Sequence, residues 1–428
     1  MKKAQVFFLA IMTLFVLTAC GQNTADDKGR VYWLNFKPEL DKTAQKLAKV
    51  YTEKTGVQVK VVTASSGTYS QTLIAEMDKS APPTMFVIGN QTGVRDWKDY
   101  ALDLKGTAIV DELATDAYNL YDETGKLVSI GYCYECYGII VNPDLVKKAG
   151  YSMDDLKNFA GLKTVAEDIH ARASELGFDA FSASDMDASS SWRFTGHMAN
   201  LEYAYEKREA AAAWTECPAN LTGNYMENYK NLFDLSINNA TVAPNTLATG
   251  GHDPENEFKT GKAAFFINGS WEYSAVSETV PKATMIPYYG GVDGEEKAGL
   301  NCGTENYWAV NAKVKEADQK ATIDFMVWLV SDPEASAAMV KELGIIPYKN
   351  APASKNGFLN DAAKYTAAGH YVMDWATGCQ PNVNEYRSGL VAALNRYCAD
   401  QSEANWAAVR AAFVEGWASQ YTKINNAH

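Results

Sequence analysis

The chain has no surplus of basic charge. In 428 residues, 39 Lys and Arg stand against 52 Asp and Glu, a formal net charge of −13, and the basic residues form no run. Binding nucleic acid by neutralising phosphates needs such a surplus, so that function is excluded. The five histidines, at 170, 197, 252, 370 and 428, form no H-E-x-x-H and no close pair, which argues against zinc catalysis. There is no G-x-S-x-G nucleophile elbow, no internal repeat, no low-complexity tract and no eightfold αβ rhythm. No apolar run reaches the roughly 20 residues that span a bilayer. Disorder is excluded as well, because 47% of residues are hydrophobic and only 21% charged. A single core stops growing near about 250–300 residues, so two or more globular units are expected.

The N-terminus reads as an address. Lys2 and Lys3 precede an apolar stretch over residues 6–17, followed by Leu17-Thr18-Ala19-Cys20-Gly21. A basic start, a short apolar stretch and a small-residue site make a secretory signal peptide over residues 1–19. The last five residues resemble a bacterial lipobox, which implies lipidation of Cys20 and anchorage to the membrane from outside. Residues 20–30 then form the lipidated cysteine and a polar tether.

Six cysteines remain, Cys133, Cys136, Cys217, Cys302, Cys379 and Cys398, and an exported chain has fifteen ways to pair them all. Cys133-Tyr134-Glu135-Cys136 has the CxxC spacing of redox and zinc sites. It lacks the second pair that zinc needs and precedes a strand rather than opening a helix, so neither role is assigned. No metal or cofactor is expected.

The body alternates between strand and helix. Residues 30–36 read as a strand, apolar residues then recur at helical spacing to Thr52, and Thr55-Gly56 ends that helix before a strand over 57–61. A parallel pair joined by a helix implies an α/β sheet. The same rhythm resumes beyond Tyr137, with strands over 139–141, 178–182, 262–267, 284–287 and 307–310, and the last third is largely helical. Two α/β lobes with a helical tail are expected.

Phe258-Lys259-Thr260-Gly261-Lys262-Ala263-Ala264-Phe265-Phe266-Ile267-Asn268-Gly269-Ser270-Trp271 is the most telling stretch. It resembles the signature of extracellular solute-binding proteins of sugar ABC transporters, the family 1 group that includes maltose-binding protein. Residues 32–57, the crossing 135–145, and 307–311 with Ser331-Asp332-Pro333-Glu334 and 344–347 resemble further parts of that family in order. The resemblance implies a two-lobed, class II periplasmic-binding-protein-like fold closing on a ligand. One lobe would hold 31–134 with 303–340 and the other 135–302 with 341–428. The hinge would lie near 133–137, 300–306 and 331–346, with Asn301 and Asn306 beside one crossing. It further implies a receptor, not an enzyme, that hands a sugar to ABC permease subunits, malto-oligosaccharide being the first choice; the aromatic-rich chain suggests an oligosaccharide, and an exposed cleft with a lipid tether argues for a monomer.

Sugars present apolar C–H faces and rims of hydroxyls, so a cleft for them wants flat aromatic rings and planar polar groups. The resemblance places Trp271 as the stacking ring after the Gly269-Ser270 turn and Glu135 as a carboxylate at the first crossing. It points to Asn35, Lys37 and Glu39 after the first strand, and to Asn90 and Gln91 after the strand 85–88. In the second lobe it points to Trp192 and Arg193, and near the tail to Trp375, Glu385 and Arg387. Two other readings remain open. An extracellular glycoside hydrolase lipoprotein would need a fixed carboxylate pair, which no motif supplies. The same receptor fold with a non-sugar cargo would want clustered carboxylates or arginines instead.

Overall fold

The computed structural model describes residues 28–426 apart from 66, 188, 215, 216 and 306. The signal peptide, Cys20 and most of the tether lie outside the described residues, as does Asn306. Among the described residues, twelve strands form two sheets. They are β1 (Arg30–Asn35), β2 (Gln58–Thr63), β3 (Met85–Ile88), β4 (Asn119–Tyr121), β5 (Leu127–Gly131), β6 (Glu135–Val141), β7 (Asp179–Ser182), β8 (Ala263–Gly269), β9 (Thr284–Ile286), β10 (Ala298–Gly303), β11 (Tyr307–Val310) and β12 (Tyr371–Asp374). The first sheet runs β2-β1-β3-β11-β5-β4 and the second β12-β10-β6-β8-β7, with β9 also on β6.

The opening βαβ unit forms for local reasons. Helix Asp41–Thr55 buries Ala44, Leu47, Ala48 and Tyr51 along one face, and Gly56 ends it in the left-handed region at φ 77°, which glycine adopts without penalty. β1 and β2 then pair in parallel from Arg30↔Gln58 to Asn35↔Thr63. Asn142 and Asp332 accept hydrogen bonds from the first-turn amides of helices Pro143–Lys148 and Pro333–Leu343, each of which carries proline where no donor is missed.

Each sheet has its own apolar core. The first gathers Trp33, Phe86, Val128, Trp308 and Phe325, with Tyr132 stacked on Trp308 at 4.4 Å. The second gathers Phe181, Phe194, Tyr229, Phe233, Tyr386, Phe413 and Trp417 between strands and the long C-terminal helices. A smaller cluster of Cys136, Ile140, Phe266, Leu300, Cys302 and Phe358 packs on the same sheet. The molecule is thus a two-lobed α/β fold. Three connections join the sheets. Residues 132–134 lead from β5 to β6, the chain from Gly303 leads into β11 at Tyr307, and the chain after Pro333–Leu343 passes Tyr134, whose amide bonds Ile345 O at 2.8 Å.

Some elements differ from expectation. β4 and β5 are short strands before the first connection, and β10 and β12 extend the second sheet where no strand is legible in the pattern. Among the described cysteines one pair is bonded, Cys217–Cys379, across 162 residues of sequence; Cys133, Cys136, Cys302 and Cys398 are buried thiols. Reducing the Cys217–Cys379 bond is expected to lower stability by about 2–5 kcal/mol, because it releases a long loop in the unfolded chain. Thermal unfolding of the full chain with and without dithiothreitol checks this, and an unchanged midpoint contradicts it.

Candidate functional site

The second lobe presents an aromatic face where β6 begins and β8 ends. β8 stops at Gly269, and the turn Ser270–Glu272 lays Trp271 back over it. A Cβ on Gly269 would meet the indole at 2.1 Å, so only glycine admits this packing. Trp375 follows β12 and lies on Gly303 in the same way, with 2.8 Å to a Cβ there. Between these rings sits a π-helical turn, Arg193–Met198. Its wider winding, with Ala199 N bonded to Phe194 O five residues back at 3.1 Å, aligns residues five apart. Trp192 and His197 therefore stand side by side, 5.0 Å between ring centroids.

His197 is the centre of the face. It stacks on Tyr137 at 4.3 Å and lies 5.1 Å from Trp271 and 5.9 Å from Trp375. Trp192 is 5.9 Å from Trp271, and Tyr137 touches Trp375 at 5.0 Å and Tyr288 at 5.7 Å. Arg193 covers Trp192 at 4.1 Å, and the Arg387 guanidinium passes Gly196, donating from Nε to Gln380 Oε1 at 2.7 Å.

The first lobe reaches this face through the loop after β1. Asn35 is fully buried; its amide donates to Lys37 O at 2.6 Å and Thr63 Oγ1 at 3.0 Å, and its oxygen accepts from Lys37 N. Those bonds consume the side chain, so Asn35 shapes the loop rather than facing a ligand. The shaped loop sends buried Lys37 across to Glu135 Oε1 at 2.6 Å and over the Trp271 ring at 5.4 Å, with Glu39 at 3.5 Å behind it.

Burial sets the electrostatics. It works against the Lys37 charge, but Glu135 and then Glu39 hold its pKa above the ordinary value. Burial raises the Glu135 carboxyl, with Lys37 opposing. His197 is pushed well below its usual range by burial, then by Arg387, Arg193 and Lys37, so its imidazole is neutral at pH 7. Tyr137 Oη, Tyr288 Oη, His197 Nδ1, Arg193 Nε, Trp375 Nε1 and Glu305 Oε1 are buried with no hydrogen-bond partner. Such groups are uncommon and costly, and beside the half-buried rings of Trp192, Trp271 and Trp375 they could pair with a polar, ring-bearing ligand.

Other predicted residues stand apart from this cluster. Asn90 accepts from Gly93 N at 2.9 Å and Thr92 Oγ1 at 2.6 Å, so its oxygen caps helix Gln91–Trp97, although the residue lies beside Gly378 of the second lobe. Gln91 donates to Tyr121 O at the sheet edge. Glu385 is exposed and has Lys423 at 3.9 Å. Conversely, Tyr137, His197 and Tyr288 join this cluster, and buried Glu305 interacts with Arg387 and Lys37, although the sequence singled out none of them. Tyr137 stood inside the quoted crossing motif, whereas nothing in the sequence marked the π-helical turn that positions His197.

Residues 46–367, well over half of the chain, match the family model of bacterial extracellular solute-binding proteins. The chain belongs to this family. Its fold is similar to a family 1 extracellular solute-binding protein from Bifidobacterium longum subsp. infantis, at 19% identity and a TM-score of 0.61 over 91% of this chain and 100% of that one. The raffinose complex of RafE is similar at 16% and 0.69, covering 90% and 98%. A chitin oligosaccharide binding protein is similar at 15% and 0.70, covering 92% and 100%. The chain matches no curated protein. Among the described residues of this solute-binding protein, no helix is long and apolar enough to cross a membrane.

Glu272, on the same turn as Trp271, accepts from Asn268 Nδ2 at 2.8 Å and has Arg193 at 3.9 Å. Burial and then Glu255 push its carboxyl up to about 7 from 4.5. The folded protein therefore keeps a proton that the unfolded chain has lost; this contribution is complete below pH 4.5 and fades as pH rises through about 7. Glu272→Gln is expected to remove a stability decline on the order of 2–3 kcal/mol across that window. Urea unfolding at a series of pH values checks it, and parallel profiles for the two proteins contradict it.

Proposed function

We infer that this protein is the solute-binding component of a sugar ABC importer, taking an oligosaccharide between its lobes and handing it intact to permease subunits in the membrane. The observation that carries this reading is the face around His197. Three tryptophans, a tyrosine–imidazole stack and unpartnered donors and acceptors lie together where the first-lobe loop meets the second lobe. Tryptophan rings suit the C–H faces of sugar rings, and Arg193, His197, Tyr137, Tyr288 and Glu305 suit hydroxyls on both sides of the donor–acceptor ledger. In this reading Lys37 and Glu135 align the two lobes, Trp271 is the main platform, and the three connections between sheets act as the hinge. The aromatic wealth favours an oligosaccharide; a malto-oligosaccharide is the first choice to test, with raffinose-type and chitin-type sugars beside it, because the similar structures include a raffinose complex and a chitin oligosaccharide binding protein. The lipobox resemblance supports a receptor tethered by lipid outside the cell, and an exposed cleft on such a tether favours a monomer.

Calorimetry against α- and β-linked oligosaccharides, followed by chromatography of the mixtures, tests this. Saturable binding with the sugar recovered intact is expected. Cleaved sugar favours the hydrolase reading, and silence across the panel removes carbohydrate as the cargo. Trp271→Ala is expected to weaken binding by about 2–4 kcal/mol with the fold intact; a loss under about tenfold, near 1.4 kcal/mol, shows that the platform lies elsewhere.

A further inference from the structure

The CxxC motif finds its explanation in a different pairing. Cys133 is buried in the first-lobe core, and Cys398 in the helical core of the second lobe. Cys136 and Cys302, by contrast, are directly opposed in the antiparallel ladder of β6 and β10, flanked by Asn301↔Tyr137 and Gly303↔Glu135. Opposed residues of an antiparallel pair share one face of the sheet, and their Cα atoms are about 4.5 or 5.5 Å apart according to the kind of pair. Both spacings lie within the roughly 4.4–6.8 Å that a disulfide spans. The two side chains also belong to one apolar cluster, where Cys136 Sγ lies 3.5 Å from Phe358 O and 3.9 Å from Met285 Sδ.

We propose that Cys136 and Cys302 close into a cross-strand disulfide as the chain folds, stapling β6 to β10 where one connection between the sheets ends and another begins. Two cysteine thiols and one disulfide oxidant, such as oxidised glutathione, exchange in two steps. One cysteine thiolate attacks the oxidant and releases a first thiol. The second cysteine then attacks the mixed disulfide and releases another, so two electrons and two protons leave the pair and reduce the oxidant to two thiols. Cys136 is fully buried and Cys302 nearly so, and burial raises both thiols, Cys302 to about 12. The folded dithiol is therefore inert, and the bond forms while the chain folds. Its location ties it to the hinge: Cys136 follows Glu135 at the start of β6, and Cys302 precedes Gly303 at the end of β10.

The test is refolding of the reduced full chain in glutathione buffers made oxidising enough to complete the Cys217–Cys379 bond. Free thiols are then alkylated and the chain is digested without reduction for mass spectrometry. The expected result is a peptide pair joining Cys136 to Cys302 in most molecules, absent from Cys302→Ser while Cys217–Cys379 persists. Recovery of Cys136 and Cys302 as alkylated thiols beside an intact Cys217–Cys379 bond overturns the proposal, as does a Cys133–Cys136 link. The same digest of protein exported into an oxidising compartment repeats the test without refolding, with the same two outcomes.

Discussion

A buried ammonium and a buried carboxylate meeting at 2.6 Å across two lobes constrain everything around them. Neither Lys37 nor Glu135 tolerates burial alone, since an isolated ion loses far more hydration than apolar neighbours return. The loop after β1 must therefore be rigid, which explains why Asn35 spends its whole amide on Lys37 and Thr63. β6 must begin exactly where the first connection ends, and the two lobes must approach closely enough to desolvate both charges. The tryptophan face then inherits its position, because Glu135 and Tyr137 occupy neighbouring rungs of β6, and Tyr137 pairs with Gly269 beneath Trp271.

The aromatic face shows how packing produces recognition. Glycines at 269 and 303 let two indoles lie against backbone, and the π-helical turn inserts a neutral imidazole between them. Burial first, and then the cations at 387, 193 and 37, keep that imidazole uncharged, so it offers one acceptor and one donor rather than a full charge. A ring-lined surface with mixed donors and acceptors around a neutral imidazole suits hydroxyl-rich ligands, which is the physical basis for the proposed sugar cargo.

The fold was legible because its signals are local. Helical spacing before Gly56, the strand 263–269 and the proline-led helix after Asp332 each declare themselves within a dozen residues. The site was legible only in part. Trp271 and Glu135 sit in stretches with a recognisable pattern, and Trp192, Arg193, Trp375 and Arg387 fall near the same face. Asn35 and Asn90 have the right address but spend their polar atoms on loop and cap geometry, and Gln91 and Glu385 face elsewhere. His197 and Tyr288 carry no sequence signal, because their place depends on a change of helical winding and on contacts between segments far apart in the chain.

Hydrogen-exchange mass spectrometry of the full chain, with and without a saturating oligosaccharide, tests the central claim most directly. The account predicts slowed exchange in both lobes at once, over 35–39 in the first and over 135–137, 193–198 and 269–272 in the second. Protection confined to one lobe, or falling outside these segments while the sugar is bound, would contradict it.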